Sequence, residues 1–464
     1  MRKKTVLIGF GKFGKSIAKE LLDSKIYNLK CVFDDDFEMI CNNLSDKFKL
    51  LTFDSLNNLE SYLINNNIEI VFFAITNISI YRKNEIINLI IRYSDEIRIL
   101  NHEFNSIHTS PSLNRPIVLQ SMFDSKEFDS YKKPKNNDRI LLTGGSGYIG
   151  SHLLKILLEN NHKVVLLDNF LFGNNSIKKL LNHKNLEIID GDICNTRKVW
   201  EAVEKVNSII ALAAIVGDPA CGINPRETMT INYQSTKSLI DAANFYGVNK
   251  LIFASSCSVY GASKDNSLLN ENSHLNPVSL YAKTRIFSEK LILENSINFN
   301  PIILRLSTVF GFSNRMRYDL VVNLFVAQAL KYKKISVNGG NQWRPFVHCY
   351  DAAMAFYKSL TVENNFSIYN VGSDKNNSTI IDISKHIKSY MKDCEVNYSK
   401  NITDERDYKV SFDRISSDLK FNVKYDLKAG IEDMIKNIGD IDKLEIEDKI
   451  YSNYKFMLNS NFGN

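Results

Sequence analysis

Ile140-Leu141-Leu142-Thr143-Gly144-Gly145-Ser146-Gly147-Tyr148-Ile149-Gly150-Ser151-His152-Leu153-Leu154 decides the fold of this chain. An apolar run with no polar interruption suits a strand buried on both faces of a parallel sheet. Leu153, Leu154, Leu157 and Leu158 then repeat at helical spacing directly after the glycines. The stretch therefore predicts strand, tight turn and helix with no spare residue. Gly144 suits the turn, Gly147 leaves room for backbone N–H groups to approach a phosphate, and Gly150 lets the helix pack against the strand. With Tyr148 and Ile149 between them, these glycines are the predicted cradle of a dinucleotide pyrophosphate.

Downstream, Lys163 to Asn169 (KVVLLDN) reads as the next strand, ending in an acid about twenty residues past the turn. Asp168 is expected to accept hydrogen bonds from the adenosine ribose, with Asn169 beside it. A carboxylate there repels a 2′-phosphate and no arginine follows it directly, so NAD is expected rather than NADP.

The same logic recurs near the N-terminus, in Thr5 to Ala18 (TVLIGFGKFGKSIA) followed by Leu29 to Asp36 (LKCVFDDD). A chain of 464 residues has room for two or three domains, and the Lys/Asn/Asp-rich stretch around Pro134 reads as a linker. The predicted organisation is α/β: a Rossmann-like domain over 1–125, a linker over 126–138 and a second doubly wound parallel-sheet domain over 139–464. In the first domain, Ile68 to Ala74 and Glu96 to Leu100 read as further strands, with a helix from Arg82 to Tyr93 between them. Gly9, Gly11, Gly14 and the acids from Asp34 permit nucleotide binding. Lys12 and Lys15 flank that turn and no catalytic set follows, so a nucleotide-binding role and a purely structural one both stay open.

Composition narrows the classes. At 44% hydrophobic residues the chain can fill two cores, while its longest apolar runs, such as Ile70 to Ile75, are too short to span a bilayer. A strand begins within a few residues of Met1 and leaves no space for a targeting peptide, so a cytoplasmic address is expected. The seven cysteines are scattered without a C-x-x-C pair, which fits reduced thiols and no bound metal. The formal charge of +6 never gathers into a basic stripe with interleaved aromatics, so nucleic acid is not an expected partner.

Chemistry is expected where the apolar strand from Lys250 runs into hydroxyl residues at Ser255, Ser256 and Ser258, because α/β sheets place ligands at the carboxyl ends of strands. Tyr281 follows twenty-one residues after Tyr260, with Arg285 one helical turn beyond it. A neighbouring cation stabilises a phenolate and draws the phenol pKa toward working pH, which would make Tyr281 a general base.

In order and spacing, the glycine turn, Asp168-Asn169, Gly191-Asp192-Ile193, Ala211 to Ala214, Ser255 to Gly261 and Tyr281 resemble the extended short-chain dehydrogenase/reductase family. The likeness is to its NAD-dependent nucleotide-sugar epimerases and dehydratases. It implies a small substrate-binding subdomain from about residue 311, Asp192 and Ile193 at the adenine, and Ala213 beside the nicotinamide ribose. It further implies Ser256 between Tyr281 and a sugar hydroxyl, with proton exchange at Tyr281. The family pattern has lysine four residues after the tyrosine, where this chain has Arg285; Lys283, two residues on, points away from Tyr281. Arginine keeps the charge but brings a bulkier planar fork. Dehydratases of the family resemble one another in an Asp-Glu pair where this chain has Cys257 and Ser258, which are poor acids for a departing water.

The expected activity is therefore epimerisation of a nucleoside-diphosphate sugar through a transient keto sugar. A single oxidation or reduction, a dehydration, or an NAD-holding sensor without turnover are the alternatives. The segments from Arg305 onward resemble the family's diphosphate region, which implies that Asn323 donates to the diphosphate and Arg344 pairs with it in bidentate fashion. Arg315 and Arg317 are open between that role and surface charge, Trp343 between pocket wall and core. His348 is expected to be a packed strand residue and Asp351 the cap of a helix from Ala352 to Leu360. The domain order resembles bacterial capsule and flagellin-glycan biosynthesis proteins, implying work on a surface polysaccharide or glycan. The resemblance also implies a homodimer through helices near Thr228 to Tyr246 and Tyr281 to Asn295.

Overall fold

The computed structural model describes residues 2–24, 27–42, 48, 51–74, 86, 96–99, 139–262, 268–296, 299–362, 367–399, 406–439 and 445–459. The chain divides into two compact units, Met1–Tyr131 and Lys132–Asn464. The expected linker at 126–138, and all but residue 86 of the expected helix at 82–93, lie outside the described residues.

In the first unit, β1 (Lys3–Ile8), β2 (Tyr27–Phe33), β3 (Phe53–Asp54), β4 (Ile70–Phe73) and β5 (Glu96–Ile99) form one parallel sheet ordered β3-β2-β1-β4-β5. The chain winds outward in both directions from β1, as the paired glycine-turn motif implies. Helix α1 (Lys12–Asp23) leaves a turn in which a Cβ on Gly14 would lie 2.0 Å from the Gly9 carbonyl oxygen. Asp34, at the end of β2, accepts from the Phe10 N–H at 2.7 Å and ties strand to turn.

The second unit is built on seven parallel strands: β6 (Arg139–Thr143), β7 (Lys163–Asp168), β8 (Leu186–Asp190), β9 (Ser208–Ala211), β10 (Lys250–Ser256), β11 (Asn300–Leu306) and β12 (Ser367–Val371). Their order is β12-β11-β10-β9-β6-β7-β8. Side chains alternate across a sheet, so Leu141, Val165, Ile209 and Leu251 enter one core and Leu142, Leu166, Ile210 and Ile252 the other. All eight are fully buried, each contributing about 1.5–3 kcal/mol relative to exposure, which is why these strands are continuously apolar.

Helix α2 (Gly150–Glu159) buries Leu153, Leu154, Leu157 and Leu158 against this sheet, as their spacing predicts. The helix α3 (Ser235–Tyr246) continues from Pro225–Met229 through a π-helical turn, Thr230–Gln234. Beside it runs α4 (Leu280–Asn295). A separate core holds Phe310, Val322, Val326, Ile335, Phe346, Ile383 and Ile431. Helix α5 (Val321–Tyr332) packs on this core, α6 (Cys349–Ser359) packs instead on α2 and the seven-stranded sheet, and α7 (Ile380–Tyr390) and α8 (Leu427–Asn437) return to it. The last described helix is α9 (Asn453–Asn459).

One cap differs from expectation. Helix α6 starts at Cys349, and its cap is His348, whose Nδ1 accepts from the Tyr350 N–H at 3.2 Å. Asp351 lies inside the helix and accepts instead from the Lys424 and Tyr425 N–H groups at 2.8 and 2.9 Å. Its carboxylate thus fastens a distant loop to α6. His348 is the packed strand residue expected, stacked on Tyr425 with ring centroids 4.2 Å apart.

Candidate functional site

A cavity of about 340 Å³ opens at the carboxyl ends of the seven-stranded sheet. Its floor is the glycine turn. Gly144 has φ of +75°, and a Cβ there would meet the Ala213 nitrogen at 2.9 Å; a Cβ on Gly150 would lie 2.2 Å from the Gly144 oxygen. Both contacts are to backbone, so only glycine permits this closeness. Gly147, Ile149, Asn169, Asp192, Ile193 and Ala213 line the same cavity.

Asp168 accepts from the Ser146 N–H at 2.8 Å through one oxygen and from the Phe170 N–H at 2.9 Å through the other. It faces the cavity, and an ionised carboxylate has about four acceptor sites, so two lone pairs stay available to a ribose. Asn169 donates to Asp192 at 2.9 Å, joining the ends of two strands. Tyr148 lines the cavity, and its hydroxyl donates to the Gly311 carbonyl at 2.6 Å and accepts from Asn323 at 2.9 Å.

On the opposite wall, Ser256 ends β10 and accepts from the Ser258 N–H at 3.1 Å, capping the turn Cys257–Tyr260. The Ser258 hydroxyl is buried, faces the cavity and has no partner among the described residues. Tyr281 sits in the first turn of α4 behind its cap Ser279, whose hydroxyl accepts from the Ala282 N–H at 3.2 Å and donates to Asp218 at 2.6 Å. Arg285 follows one turn later. Its guanidinium carbon lies 5.3 Å from the ring centroids of both Tyr281 and Phe253, and Nη1 donates to the Ala254 carbonyl at 3.1 Å. Nε and Nη2 of Arg285 are buried without a partner among the described residues.

The expectation of a lowered Tyr281 pKa is corrected. Burial raises it, the Arg285 charge offsets only part of that, Cys221 and Asp218 push it further up and Arg317 pulls it down; the net direction is up. Desolvation of the phenolate outweighs the nearby cation. No hydrogen bond joins Ser256 to Tyr281 among the described residues.

Two substrate-side expectations also change. Asn323 is fully buried and outside the cavity lining. Its oxygen accepts from the Gly311 N–H at 3.0 Å and its nitrogen donates to Tyr148 Oη and the Arg317 carbonyl, both at 2.9 Å. Both amide donors are spent within the protein, so Asn323 frames the site rather than touching a diphosphate. Arg344 is buried beside Tyr408, its guanidinium carbon 5.6 Å from that ring, and donates to the Trp343 carbonyl at 2.7 Å; Tyr408, not Arg344, faces the cavity. Trp343 is likewise outside the lining, with Lys409 Nζ 4.3 Å from its ring centroid.

The arginines that do line the cavity are Arg285, Arg315, Arg317 and Arg406. Arg317 makes a bidentate pair with Asp319 at 2.9 and 3.0 Å, and Arg406 pairs with Asp218 at 2.6 Å. Among the described residues, Arg315 has no carboxylate partner of its own. Burial, and next Arg317, push its pKa down to about 9, and the guanidinium stays protonated.

Asp218 and Asn232 carry no catalytic motif in the sequence and come to the site only in the fold. Gly217-Asp218-Pro219 is a helix-start signature that could have drawn attention to Asp218. Asn232 lies in the π-helical turn and grips both sides of the Ile215 peptide at 2.9 Å. It also donates to Thr284 at 3.4 Å, whose hydroxyl donates to the Tyr281 carbonyl at 2.7 Å. Its only trace in the sequence is a polar residue on the buried side of a helical run.

A doubly wound sheet with a glycine cradle, a strand-end carboxylate and a Ser/Tyr/Arg wall defines a dinucleotide-binding site of the short-chain dehydrogenase/reductase type. The model of the NAD dependent epimerase/dehydratase family matches residues 140–372, and the chain belongs to that family. It is 33% identical over 306 residues to a putative UDP-glucose 4-epimerase of Methanocaldococcus jannaschii, covering 64% of this chain and 97% of the relative. It is 29% identical to a dTDP-D-glucose 4,6-dehydratase of Mus musculus, covering 62% and 81%. The fold is similar to the crystal structure of a UDP-glucuronic acid 4-epimerase from Bacillus cereus in complex with UDP-glucuronic acid and NAD. The TM-score is 0.60 at 27% identity, over 65% of this chain and 98% of that one.

The residues present fit NAD. The backbone cradle admits no Cβ at Gly144 or Gly150, Asp168 keeps acceptor capacity, and the orphaned N–H groups of Arg285 are donors without an acceptor. Among the described residues no group of three His, Cys, Asp or Glu could hold a metal ion, and no helix is long and apolar enough to cross a membrane.

Proposed function

We propose that the chain epimerises a nucleoside-diphosphate sugar through a transient keto sugar, with a UDP-sugar as the favoured substrate. One observation carries the choice among the family's reactions. Cys257 stands where the dehydratases of the family have their acid, and it is fully buried with its thiol donating to the Arg305 carbonyl at 3.1 Å. Burial pushes that thiol above the usual range despite Arg305, so it is a poor acid toward a leaving hydroxyl. The relative and the neighbouring structure named as 4-epimerases support the same reading.

The glycine turn, Asp168, Asp192, Ile193, Ala213 and Arg285 would hold NAD, which when bound supplies the redox chemistry at the sugar carbon. Tyr281, as the phenolate that the Arg285 charge stabilises, takes the proton of the sugar hydroxyl to become a neutral phenol and returns it when the hydroxyl is restored. The hydroxyls of Ser256 and Ser258 orient the reacting oxygen. Arg315 and Arg317 hold the diphosphate while the keto sugar presents its other face.

The reading includes a homodimer through α3 and α4, where Phe287 is 45% exposed beside Tyr233, a cytoplasmic setting, and a role in making a surface glycan. The domain boundaries at 1–125 and 139–464 belong to it too, with the first domain as nucleotide-binding or scaffold unit.

Incubating the full chain with NAD and UDP-glucose, UDP-glucuronic acid or UDP-N-acetylglucosamine, and following sugar identity by NMR with absorbance at 340 nm (the NADH band), tests the proposal. The expected result is an equilibrium pair of epimers without net NADH. A keto sugar released in step with NADH would replace it by a simple oxidation, and a 4,6-dehydrated product would overturn the argument from Cys257.

A further inference from the structure

The C-terminal helix α9 lies beyond the residues matched by the family model, yet Asn453 and Met457 line the cavity. Asn453 is 7% exposed and makes three contacts there. Its Oδ1 accepts from Arg315 Nη2 at 2.7 Å, its backbone N–H donates to Asp319 Oδ2 at 2.9 Å, and its Nδ2 donates to the Val216 carbonyl at 3.3 Å. Arg315 and Asp319 belong to the substrate-side segment, whereas Val216 follows β9 in the dinucleotide half.

The neighbouring residues of α9 join the same two halves. Met457 is buried with Ile215, Ala220 and Cys221, against which Tyr281 also packs. Phe456 lies 4.7 Å from Phe172, just beyond Asp168-Asn169, and the Arg315 guanidinium carbon lies 3.8 Å above that same Phe172 ring. Arg315 is thus fixed on two sides, by an aromatic face and by a neutral acceptor. Its buried Nε has no partner among the described residues.

We infer that α9 is part of the active site and that Asn453 is a positioning residue, holding Arg315 as an uncompensated cation beside Arg317 to receive the substrate's diphosphate. This rests on the nucleoside-diphosphate sugar reading. The choice of asparagine follows from charge. Arg315, Arg317 and Asp319 sum to one positive charge, and a carboxylate at position 453 would cancel it. An amide fixes the geometry without spending the charge, which is then available to an anion.

Inorganic pyrophosphate and NAD, each titrated calorimetrically into the full chain, separate the possibilities without relying on turnover. Asn453→Ala removes one charge-assisted hydrogen bond and is expected to raise the pyrophosphate Kd about tenfold. Asn453→Asp keeps the shape, cancels the charge and is expected to weaken pyrophosphate further, steeply at low salt. The NAD Kd and the melting temperature are expected to hold in at least one of the two variants. Equal pyrophosphate affinity in wild type and Asn453→Asp would overturn the inference. So would parallel loss of NAD and pyrophosphate binding in both variants, which is the mark of a structural role, or a wild type that does not bind pyrophosphate. Loss of the epimerase reading alone would show as missing turnover with the pyrophosphate series intact.

Discussion

Replacing Arg285 by methionine keeps most of the side-chain volume and removes the cation facing Tyr281. The guanidinium carbon is 5.3 Å from the phenol ring centroid. Taking that centroid distance as the scale of the charge separation, Coulomb's law at an effective dielectric near 20 gives on the order of 3 kcal/mol. That corresponds to about a hundredfold in phenolate population at fixed pH. Burial already raises the Tyr281 pKa, with Arg285 the largest opposing influence, so its removal moves the ionisation still higher. The initial epimerisation rate at pH 7 is expected to fall by roughly one to two orders of magnitude. The pH profile of kcat/KM should rise through a more alkaline range than in wild type. Arg285→Lys retains a charge and should stay near the wild-type profile. A methionine variant with the wild-type rate and an unshifted profile would refute the reasoning, since Tyr281 could not then depend on this cation. Measuring NAD affinity alongside separates the proton step from cofactor holding, because Nε and Nη2 are also lost.

Asp218→Asn removes a negative charge that raises the Tyr281 pKa, so the rising limb of kcat/KM should move to lower pH; an alkaline shift would contradict the assigned sign. Gly150→Ala sets a Cβ against the Gly144 carbonyl, a backbone strain of about 1–3 kcal/mol, and calorimetry should record roughly tenfold or greater loss of NAD affinity. Glu289→Ala strands Arg305, whose side chain is 4% exposed and bonded to Glu289 at 2.7 Å. Breaking a buried pair in this way costs about 3–5 kcal/mol, read as a lower urea midpoint at unchanged slope, and a shift under about 1 kcal/mol would dismiss the pair as a stabilising contact.

What the sequence made legible was local. Apolar runs, glycine turns and acids about twenty residues downstream all depend on short-range chemistry. They located three strands of the seven-stranded sheet, Arg139–Thr143, Lys163–Asp168 and Lys250–Ser256, and the floor of the cavity, including the packing of Leu153, Leu154, Leu157 and Leu158. Asn323 and Arg344 came from a resemblance between motifs, and the folded chain uses both amide donors of the first within the protein and packs the second beside Tyr408. Asp351 looked like a cap because an acid preceded an apolar helical run, but its partners, Lys424 and Tyr425, are more than seventy residues away in the chain. The Tyr281 pKa went wrong in sign for a related reason. A helical interval reveals the neighbouring Arg285, whereas the depth of burial that outweighs it is a property of the whole packed unit. Asn232 and Asn453 act only through long-range contacts, with Ile215 and with Arg315, Asp319 and Val216, so no local pattern announces them.

Tyr148 ties the two sides of the site together as well as shaping it. It belongs to the dinucleotide turn, yet its hydroxyl is bonded to Gly311 and Asn323 of the substrate side. One residue pair further along, Ser313 donates to the Tyr148 carbonyl at 2.8 Å and His152 shares a hydrogen bond with the Phe312 carbonyl at 3.0 Å. Parting the two sides would have to break all of these hydrogen bonds together, so slow release of a dinucleotide held at the turn is the expected consequence, read from its dissociation rate. For a catalyst that restores to its substrate the hydrogen it has just removed, as the proposed epimerisation requires, such retention would let one cofactor serve successive turnovers and leave the keto sugar little chance to escape unreduced.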